Sequence, residues 1–218
     1  RLLPLGAAPT EWRALAESTP ALDSMVHLHL GINAVGLPAD LQCHHLIVND
    51  WYNTTGDNNV VIVSIPTVFD PSLAPPGKAV VHCYFAGNEP YGVWQGMDRK
   101  SAEYKALKEK RAEPLWQALE RIIPDIRART ELKLIGTPLT HERFLRRHRG
   151  TYGPGISAQP GGGGWPGPTT PIPGLYQCGD STMPGIGVPA AAASGMICAN
   201  SLTPVWSHLR LMDELLAK

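Results

Sequence analysis

The segment GLYQCGDSTMPGIGVPAAAASG, residues 174–195, joins a short apolar run, a lone acid and a helix of unusually small side chains. Asp180 follows the apolar run 175–178, and Gly185 and Gly187 come just before four successive alanines. Glycines in a connection between apolar runs are typical of a turn or loop, and alanine is the strongest helix former. The segment therefore predicts a strand, a loop and a helix, in that order.

This arrangement favours a bound ligand. The first N–H groups of a helix are unpaired and carry partial positive charge, so they attract the electron-rich edge of a ligand. Gly185 and Gly187 allow the backbone to approach a flat ring, and the Asp180 carboxylate accepts hydrogen bonds from ligand hydroxyls. The pattern indicates a cofactor with hydroxyls and a reducible ring. The alternative is a helix that packs closely on a sheet through its small side chains.

The rest of the chain predicts an α+β fold. Leu115, Leu119, Ile122 and Ile126 form one apolar stripe, which predicts helix over 100–127. Pro114 is expected to start the second of two helical pieces there. Four runs bounded by Gly, Pro, Asn or Asp predict an antiparallel sheet; these are 26–33, 44–49, 60–68 and 79–85. Further short elements are predicted; these are helices near 11–17, 140–149 and 205–216 and a strand at 175–178.

We expect four parts along the chain. An N-terminal segment (1–24) precedes a sheet-and-helix domain (25–150). A Gly/Pro-rich loop (151–174) follows, with four successive glycines at 161–164, and the strand, loop and helix lie in the last part (175–218). Long loops of this kind inside compact domains are often functional.

Composition excludes several classes of protein. Nineteen basic residues balance nineteen acidic ones, which argues against a dedicated nucleic-acid binder. Residues 181–207 contain no charged side chain, but their prolines, alanines and serines make a transmembrane helix unfavourable. The cysteines are far apart and predict reduced, buried thiols rather than disulfides or a zinc site; they are Cys43, Cys83, Cys178 and Cys198.

Two segments resemble one known family. Residues 174–195 are similar to the C-terminal FAD-binding motif of the carotenoid isomerase and phytoene-desaturase-related flavoproteins. GTPLTHERFLRRHRGTYGPG, residues 136–155, is similar to a segment typical of the plant and algal prolycopene isomerases within that group. Both segments occur in the family's order, and the resemblance covers about residues 25–203. It implies an amine-oxidase-like fold in which one domain binds FAD and a sheet-plus-helix domain encloses a polyene.

The resemblance implies site residues by position. Asp180 would bind a ribityl hydroxyl or nearby phosphate of FAD, and the backbone of 185–188 would face the flavin ring. The full set of expected cofactor residues is Gly179, Asp180, Pro184, Gly185, Ile186, Gly187, Val188 and Pro189. The expected substrate residues are Gly150, Thr151, Tyr152 and Gly153. Tyr152, Trp165 and Tyr176 either line a polyene channel or anchor the loop to its own domain.

The family's dinucleotide-binding fingerprint is GxGxxG placed between a first strand and a helix, and this sequence contains no such element. The glycine run 161–164 has neither a predicted strand before it nor a predicted helix after it, so we expect the N-terminal Rossmann half of the FAD domain to be absent from this sequence. The first hypothesis is a C-terminal portion of a flavin-dependent carotenoid isomerase or related polyene oxidoreductase. The alternative is a non-catalytic pseudoenzyme, a structural or pigment-contacting subunit of a photosynthetic membrane assembly. Both imply a protein partner or further sequence that completes the half-domain, and a plastid location with possible thylakoid contact. A third possibility is an unrelated α+β domain, but both matching segments would then have to occur in it by chance.

Histidines and arginines raise two further questions. His27 and His29 alternate on one strand, with His44 and His45 nearby, but surface or cross-strand histidines are commoner than ligands and we predict no metal site. The basic segment (residues 143–149) contains four arginines beside His148. It is either a solvated helix end or a contact for anionic lipid headgroups or an acidic partner.

Overall fold

The computed structural model describes residues 3, 4, 6–156 and 164–217. They form two compact units. The sheet unit is Leu22–Tyr152, and the loop-helix unit is Arg1–Ala21 together with Gly153–Lys218. The N-terminal segment 1–24, predicted as a part by itself, divides between the units: residues up to Ala21 belong to the loop-helix unit and 22–24 to the sheet unit. In the loop-helix unit the Gly155 N–H donates to the Pro20 carbonyl (2.6 Å).

The sheet unit contains a five-stranded antiparallel sheet in the order β2-β3-β4-β1-β5. The strands are β1 (His27–Asn33), β2 (His44–Val48), β3 (Val60–Ser64), β4 (Lys78–Phe85) and β5 (Thr130–Gly136). The α+β class and the antiparallel sheet are confirmed. The helices in the described residues are α1 (Thr10–Ser18), α2 (Ala102–Glu120), α3 (Ile126–Arg129), α4 (Pro138–Leu145), α5 (Val188–Leu202) and α6 (Val205–Leu216).

One face of the sheet forms the hydrophobic core. Side chains alternate between faces along a strand, so the apolar residues at every second position of β1, β3 and β4 lie together. Leu28, Val63 and Val81 on this face are buried. The apolar stripe of α2 covers them with Leu115 and Leu119, both fully buried. The other face of the sheet is more exposed, and we call it the open face.

Two predicted elements on the sheet unit are corrected. Helix α2 is continuous through Pro114, which lies in its interior rather than at the start of a second helix. Burial of Leu115 and Trp116, the two residues after the proline, outweighs the one backbone hydrogen bond that a proline removes. Helix α4 ends at Leu145 rather than 149, because Arg146 adopts a left-handed conformation (φ 58°).

Strand β5 was not predicted. It is an edge strand, and its central residues are exposed, so it lacks the buried alternation that marks the other strands. The predicted strand at 175–178 is wrong: among the described residues that stretch makes one isolated bridge, between Thr169 and Tyr176. Of the four cysteines, Cys43 and Cys83 are buried as predicted, whereas Cys178 is exposed and Cys198 half-buried.

The loop-helix unit has little core in the part of the chain that is described. Helix α5 buries only Ser194, and α6 buries none of its residues. The glycines 161–163 of the predicted Gly/Pro-rich loop lie outside the described residues, as do 157–160. Among the helices described, none is long and apolar enough to cross a membrane.

Candidate functional site

The loop before α5 is anchored to that helix by three polar groups. The Gly179 N–H donates to Ser194 Oγ (3.0 Å), and Thr182 Oγ1 donates to the Gly179 carbonyl (2.8 Å). Thr182 Oγ1 and Ser194 Oγ lie 2.5 Å apart, and both side chains are buried. Since Thr182 uses its proton on Gly179, Ser194 donates to Thr182. The network fixes Gly179, and Asp180 beside it, against α5.

Glycines shape the approach to the helix. Gly179, Gly185 and Gly187 have φ values of 120°, 126° and 106°, which side chains rarely adopt. A Cβ at Gly185 would lie 3.2 Å from the ring of Trp165. Trp165 therefore packs on this loop, as the anchoring interpretation of the aromatic residues predicts. Ile186 lies between the two glycines, and Met183-Pro184 is a cis peptide.

The N-terminus of α5 is open. Gly187 is its N-cap, and no side chain of the described residues caps the first turn. Val188 is 84% exposed, and Pro189 in the first turn has no N–H to satisfy. An uncapped helix N-terminus reached over glycines, with a carboxylate on the preceding loop, fits one edge of a flavin. The chemistry of these residues therefore fits one edge of such a ring, whereas the strand, GxGxxG loop and helix that bind a pyrophosphate are not predicted in this sequence.

Gly150, Thr151 and Tyr152 form a strap on the sheet unit. Ser24 Oγ donates to the Gly150 carbonyl (2.5 Å), and the Tyr152 N–H donates to the Asp23 carbonyl (3.2 Å). Thr151 Oγ1 donates to the Leu22 carbonyl (2.5 Å). These bonds tie the strap to the segment that enters β1.

Gly153, the fourth expected substrate residue, belongs to the loop-helix unit. A Cβ added to it would lie 2.7 Å from Cδ1 of Ile186, so Gly153 packs against the loop before α5. The four expected substrate residues therefore divide between the two units. All eight expected cofactor residues lie in one unit.

The open face of the sheet brings together residues that are far apart in sequence. His29 pairs with His82 across β1 and β4, and His27 pairs with Tyr84. His27 Nδ1 and His82 Nε2 are 2.6 Å apart and share a hydrogen bond. His141 of α4 places its ring 4.7 Å from that of His27. We call His27, His29 and His82 the histidine cluster.

Burial sets the charge of these rings. Desolvation lowers the pKa of His27 to about 2 and that of His82 to about 4, with smaller contributions from neighbouring histidines. It also lowers the pKa of His29 and of His141. The rings are therefore neutral at physiological pH.

Sequence reasoning did not find this cluster. The sequence places His44 and His45 near His27 and His29, whereas in the structure the neighbour is His82, 55 residues from His27. His44 bonds to Ser64 Oγ (3.1 Å), and His45 bonds to the Gln42 carbonyl (3.0 Å). The sequence signal was the period of two in both HLH and HCY, which places His27, His29 and His82 on one face once β1 and β4 pair.

Known proteins provide an independent comparison. No protein-family model matches the chain. It is 42% identical over 180 residues to "Prolycopene isomerase, chloroplastic" of Arabidopsis thaliana, which covers 81% of this chain and 30% of that protein. The corresponding protein of Daucus carota is also 42% identical over 180 residues, covering 81% and 29%. "Prolycopene isomerase 2, chloroplastic" of an Oncidium hybrid cultivar is 39% identical over 203 residues, covering 92% and 34%.

The chain thus spans about a third of the length of the curated relatives that it matches. Among solved structures, it is similar to the crystal structure of an oxidoreductase from Methanosarcina mazei. That similarity has a TM-score of 0.50 at 20% identity and covers 89% of this chain and 37% of the other. At this identity it shows the fold alone.

Proposed function

We infer the function of this chain from its homology to the prolycopene isomerases, which are carotenoid isomerases and of which it matches about a third. That share is consistent with a C-terminal part, as the resemblance of residues 136–155 and 174–195 implies. We propose that the chain is the C-terminal portion of a flavin-dependent carotenoid cis-trans isomerase or related polyene oxidoreductase with an amine-oxidase-like fold.

The observation that carries the proposal is the glycine-lined, uncapped start of α5 beside Asp180. FAD, when bound, would supply a redox-active ring able to exchange electrons with a conjugated chain. Asp180 would accept a hydrogen bond from a ribityl hydroxyl or orient the nearby phosphate region. The backbone of 185–188 would lie along the pyrimidine edge of the ring. There the dipole of α5 would stabilise the negative charge that develops on reduction.

The open face of the sheet is evidence for the proposed polyene ligand. Leu46, Leu132 and Leu134 are 65%, 57% and 58% exposed there, although apolar side chains of this size are usually buried. The rings of His82 and Tyr84 lie nearly parallel, with centroids 4.6 Å apart. An apolar face with flat, neutral rings suits a long conjugated hydrocarbon better than a polar substrate. The strap at Gly150–Tyr152 would complete this substrate region.

A partner that completes the half-domain is part of the proposal. In α6, Trp206 and Leu216 are 80% and 77% exposed, and in α5 Met196 is 67% exposed. Apolar helix faces of this kind ordinarily pack against another element. The partner would be a polypeptide, or further sequence of the same protein, that carries the dinucleotide-binding half.

A plastid location follows from the relatives, whose names place them in the chloroplast. We propose peripheral membrane contact through the basic segment. Phe144 and Leu145 are 69% and 58% exposed there, and Arg143 stacks over the Phe144 ring at 5.0 Å. Apolar side chains among arginines are typical of surfaces that rest on anionic lipid headgroups.

The decisive experiment is to isolate the native protein with its partners, denature it and identify every small molecule released, by absorbance and mass. Stoichiometric FAD would support the flavoenzyme. Carotenoid or chlorophyll without flavin would overturn it in favour of the second candidate, a non-catalytic pigment-contacting subunit of a photosynthetic membrane assembly. The missing dinucleotide fingerprint is the observation that favours that alternative.

A further inference from the structure

We propose that the histidine cluster on the open face of the sheet is a binding site for a divalent transition-metal ion, Zn²⁺ in the first instance. The ligands are one ring nitrogen each of His27, His29 and His82. None of these histidines is among the expected cofactor residues, and the inference does not depend on the proposed function.

The strands place the three side chains together. His27 and His29 are two residues apart on β1, so they point to the same face, and the antiparallel register puts His82 of β4 directly opposite His29. One ring nitrogen of each histidine lies within 4.8 Å of the others. The site is held by two central strands with a buried core face, which is a rigid support for ligands.

The hydrogen bonding of His27 points to a ligand. His27 is 9% exposed, and its Nε2 is buried with no hydrogen-bond partner among the described residues. A buried polar atom of this kind costs stability unless something pairs with it. Its other nitrogen, Nδ1, lies 2.6 Å from His82 Nε2, where a single shared proton satisfies both atoms. A cation that displaced this shared proton would be close to a ring nitrogen of both histidines.

Binding requires the three rings to rotate, because they lie within 5° of parallel, whereas the ligands of a tetrahedral ion approach it from different directions. In a tetrahedral zinc site with Zn–N bonds of about 2.0–2.1 Å, the ligand nitrogens lie about 3.3 Å apart. One ring nitrogen from each histidine of the cluster lies within 4.8 Å of the others, which is close enough for such a site after the rings rotate. Neutral imidazole is a preferred ligand of Zn²⁺, Cu²⁺, Ni²⁺ and Fe²⁺.

The fourth coordination position is open to solvent. His29 is exposed, so an ion can reach the cluster from the open face. Three histidines with one free position are the arrangement of sites at which zinc binds water or another small ligand. The ring of His141 lies beside that of His27, with the two centroids 4.7 Å apart.

The test is a titration of the full chain, purified without a polyhistidine tag and stripped with a chelator. We expect ZnCl₂ to bind at one equivalent by isothermal titration calorimetry, and to shift the ring-nitrogen NMR signals of His27, His29 and His82. His29→Asn is expected to weaken binding by at least about tenfold, since outer-shell changes alone commonly cost that much. His82→Asn should do the same.

His44→Asn is the matched control, because His44 is an exposed histidine on β2 that is not part of the cluster. It should leave the affinity unchanged. His29→Asn alters an exposed side chain, so its thermal unfolding without zinc should match that of the original chain. Absence of stoichiometric binding, or equal affinity in the original chain and His29→Asn, would overturn the proposal, as would equal weakening by His44→Asn.

Discussion

The buried carboxylate of Glu89 is held by the guanidinium of Arg111 through two hydrogen bonds, Nε to Oε1 (2.8 Å) and Nη2 to Oε2 (2.6 Å). The Glu89 side chain is fully buried, and the indole N–H of Trp94 donates a third hydrogen bond to Oε1 (2.7 Å). The Glu89 backbone pairs in both directions with that of Ser24 (3.0 Å each). One acidic residue therefore joins the segment before β1, the loop after β4 and helix α2.

Removing Arg111 should be far more damaging than removing an exposed cation. Arg111→Ala leaves the Glu89 charge buried without its ionic partner, and we expect the free energy of unfolding to fall by about 3–5 kcal/mol. Lys133→Ala is the control, because Lys133 pairs with Glu109 at 2.8 Å on the exposed surface and should cost about 0–1 kcal/mol. Urea denaturation measures both, and equal losses would contradict the role given to Glu89.

The loss in Arg111→Ala should depend on pH. Burial raises the pKa of the Glu89 carboxyl above its ordinary 4.5, while hydrogen bonds and charge from Arg111 lower it. Without Arg111 the pKa rises further, and the folded state then holds a proton that the unfolded state releases. Stability consequently falls as pH rises from about 4.5 towards the folded pKa.

Urea denaturation at pH values from about 4 to 8 tests this sign. Near pH 4 the carboxyl is largely protonated in the folded variant, so the difference between Arg111→Ala and the original chain should be smallest there. It should reach its full size at neutral pH or above. A difference that is constant, or that grows towards acid, would show that lost packing rather than buried charge causes the destabilisation.

Gly150 should be intolerant of any side chain. Its φ is 59°, and a Cβ would lie 2.3 Å from the Pro138 carbonyl oxygen. Gly36→Ala is the control, since Gly36 has a φ of 75° with open space around it and tests backbone conformation alone. We expect the free energy of unfolding to fall by about 1 kcal/mol in Gly36→Ala and by at least about 1–3 kcal/mol more in Gly150→Ala. Thermal or urea unfolding measures both. Equal effects would mean that the strap moves freely to accommodate the methyl group.

The sequence predicts those elements whose pattern survives folding unchanged. Helix α6 matches the predicted 205–216, and β1 to β4 each begin within a residue of the prediction, because alternation or a 3.6-residue period marks them. Strand β3 is the partial exception, since a 3₁₀ turn at Pro66–Val68 replaces its predicted end. The prediction that a second helix starts at Pro114 is wrong. The packing of the buried Leu115 keeps α2 continuous although proline disfavours a helix interior.

The two candidate sites differ in how visible they are in sequence. The proposed cofactor site lies within residues 179–189, so its glycines, its carboxylate and the start of a helix can be recognised without long-range information. The histidine cluster depends on the pairing of β1 with β4, and the sequence pattern predicts an antiparallel sheet without an order of strands. His27 and His82 are ordinary strand residues until register places them 2.6 Å apart. A site that strand pairing assembles can be recognised only once the fold is known, whereas a site within one loop can be recognised from the sequence.

Asp180 should contribute to flavin retention if FAD binds at α5. Asp180→Ala removes a hydrogen-bond acceptor from the loop that Gly179 anchors, and we expect FAD affinity to fall by about 1–3 kcal/mol, roughly 5- to 150-fold. The assay is flavin released from the natively isolated protein over a dilution series. Asp40→Ala, an exposed acid of the sheet unit, is the control. Unchanged retention in Asp180→Ala would remove this residue from the site.

Membrane contact should depend on the apolar side chains of the basic segment. Replacing Phe144 and Leu145 together by serine removes the apolar part of the surface and leaves its arginines, so binding to vesicles containing anionic lipid should weaken by about tenfold or more. The control replaces Trp51 and Tyr52, which are 74% and 102% exposed in the loop after β2, by serine. Vesicle flotation at low and high salt measures both pairs. If only charge attracts the vesicles, the serine variants will bind like the original chain and salt alone will release them. If the control pair weakens binding instead, the membrane-facing surface lies at the loop after β2.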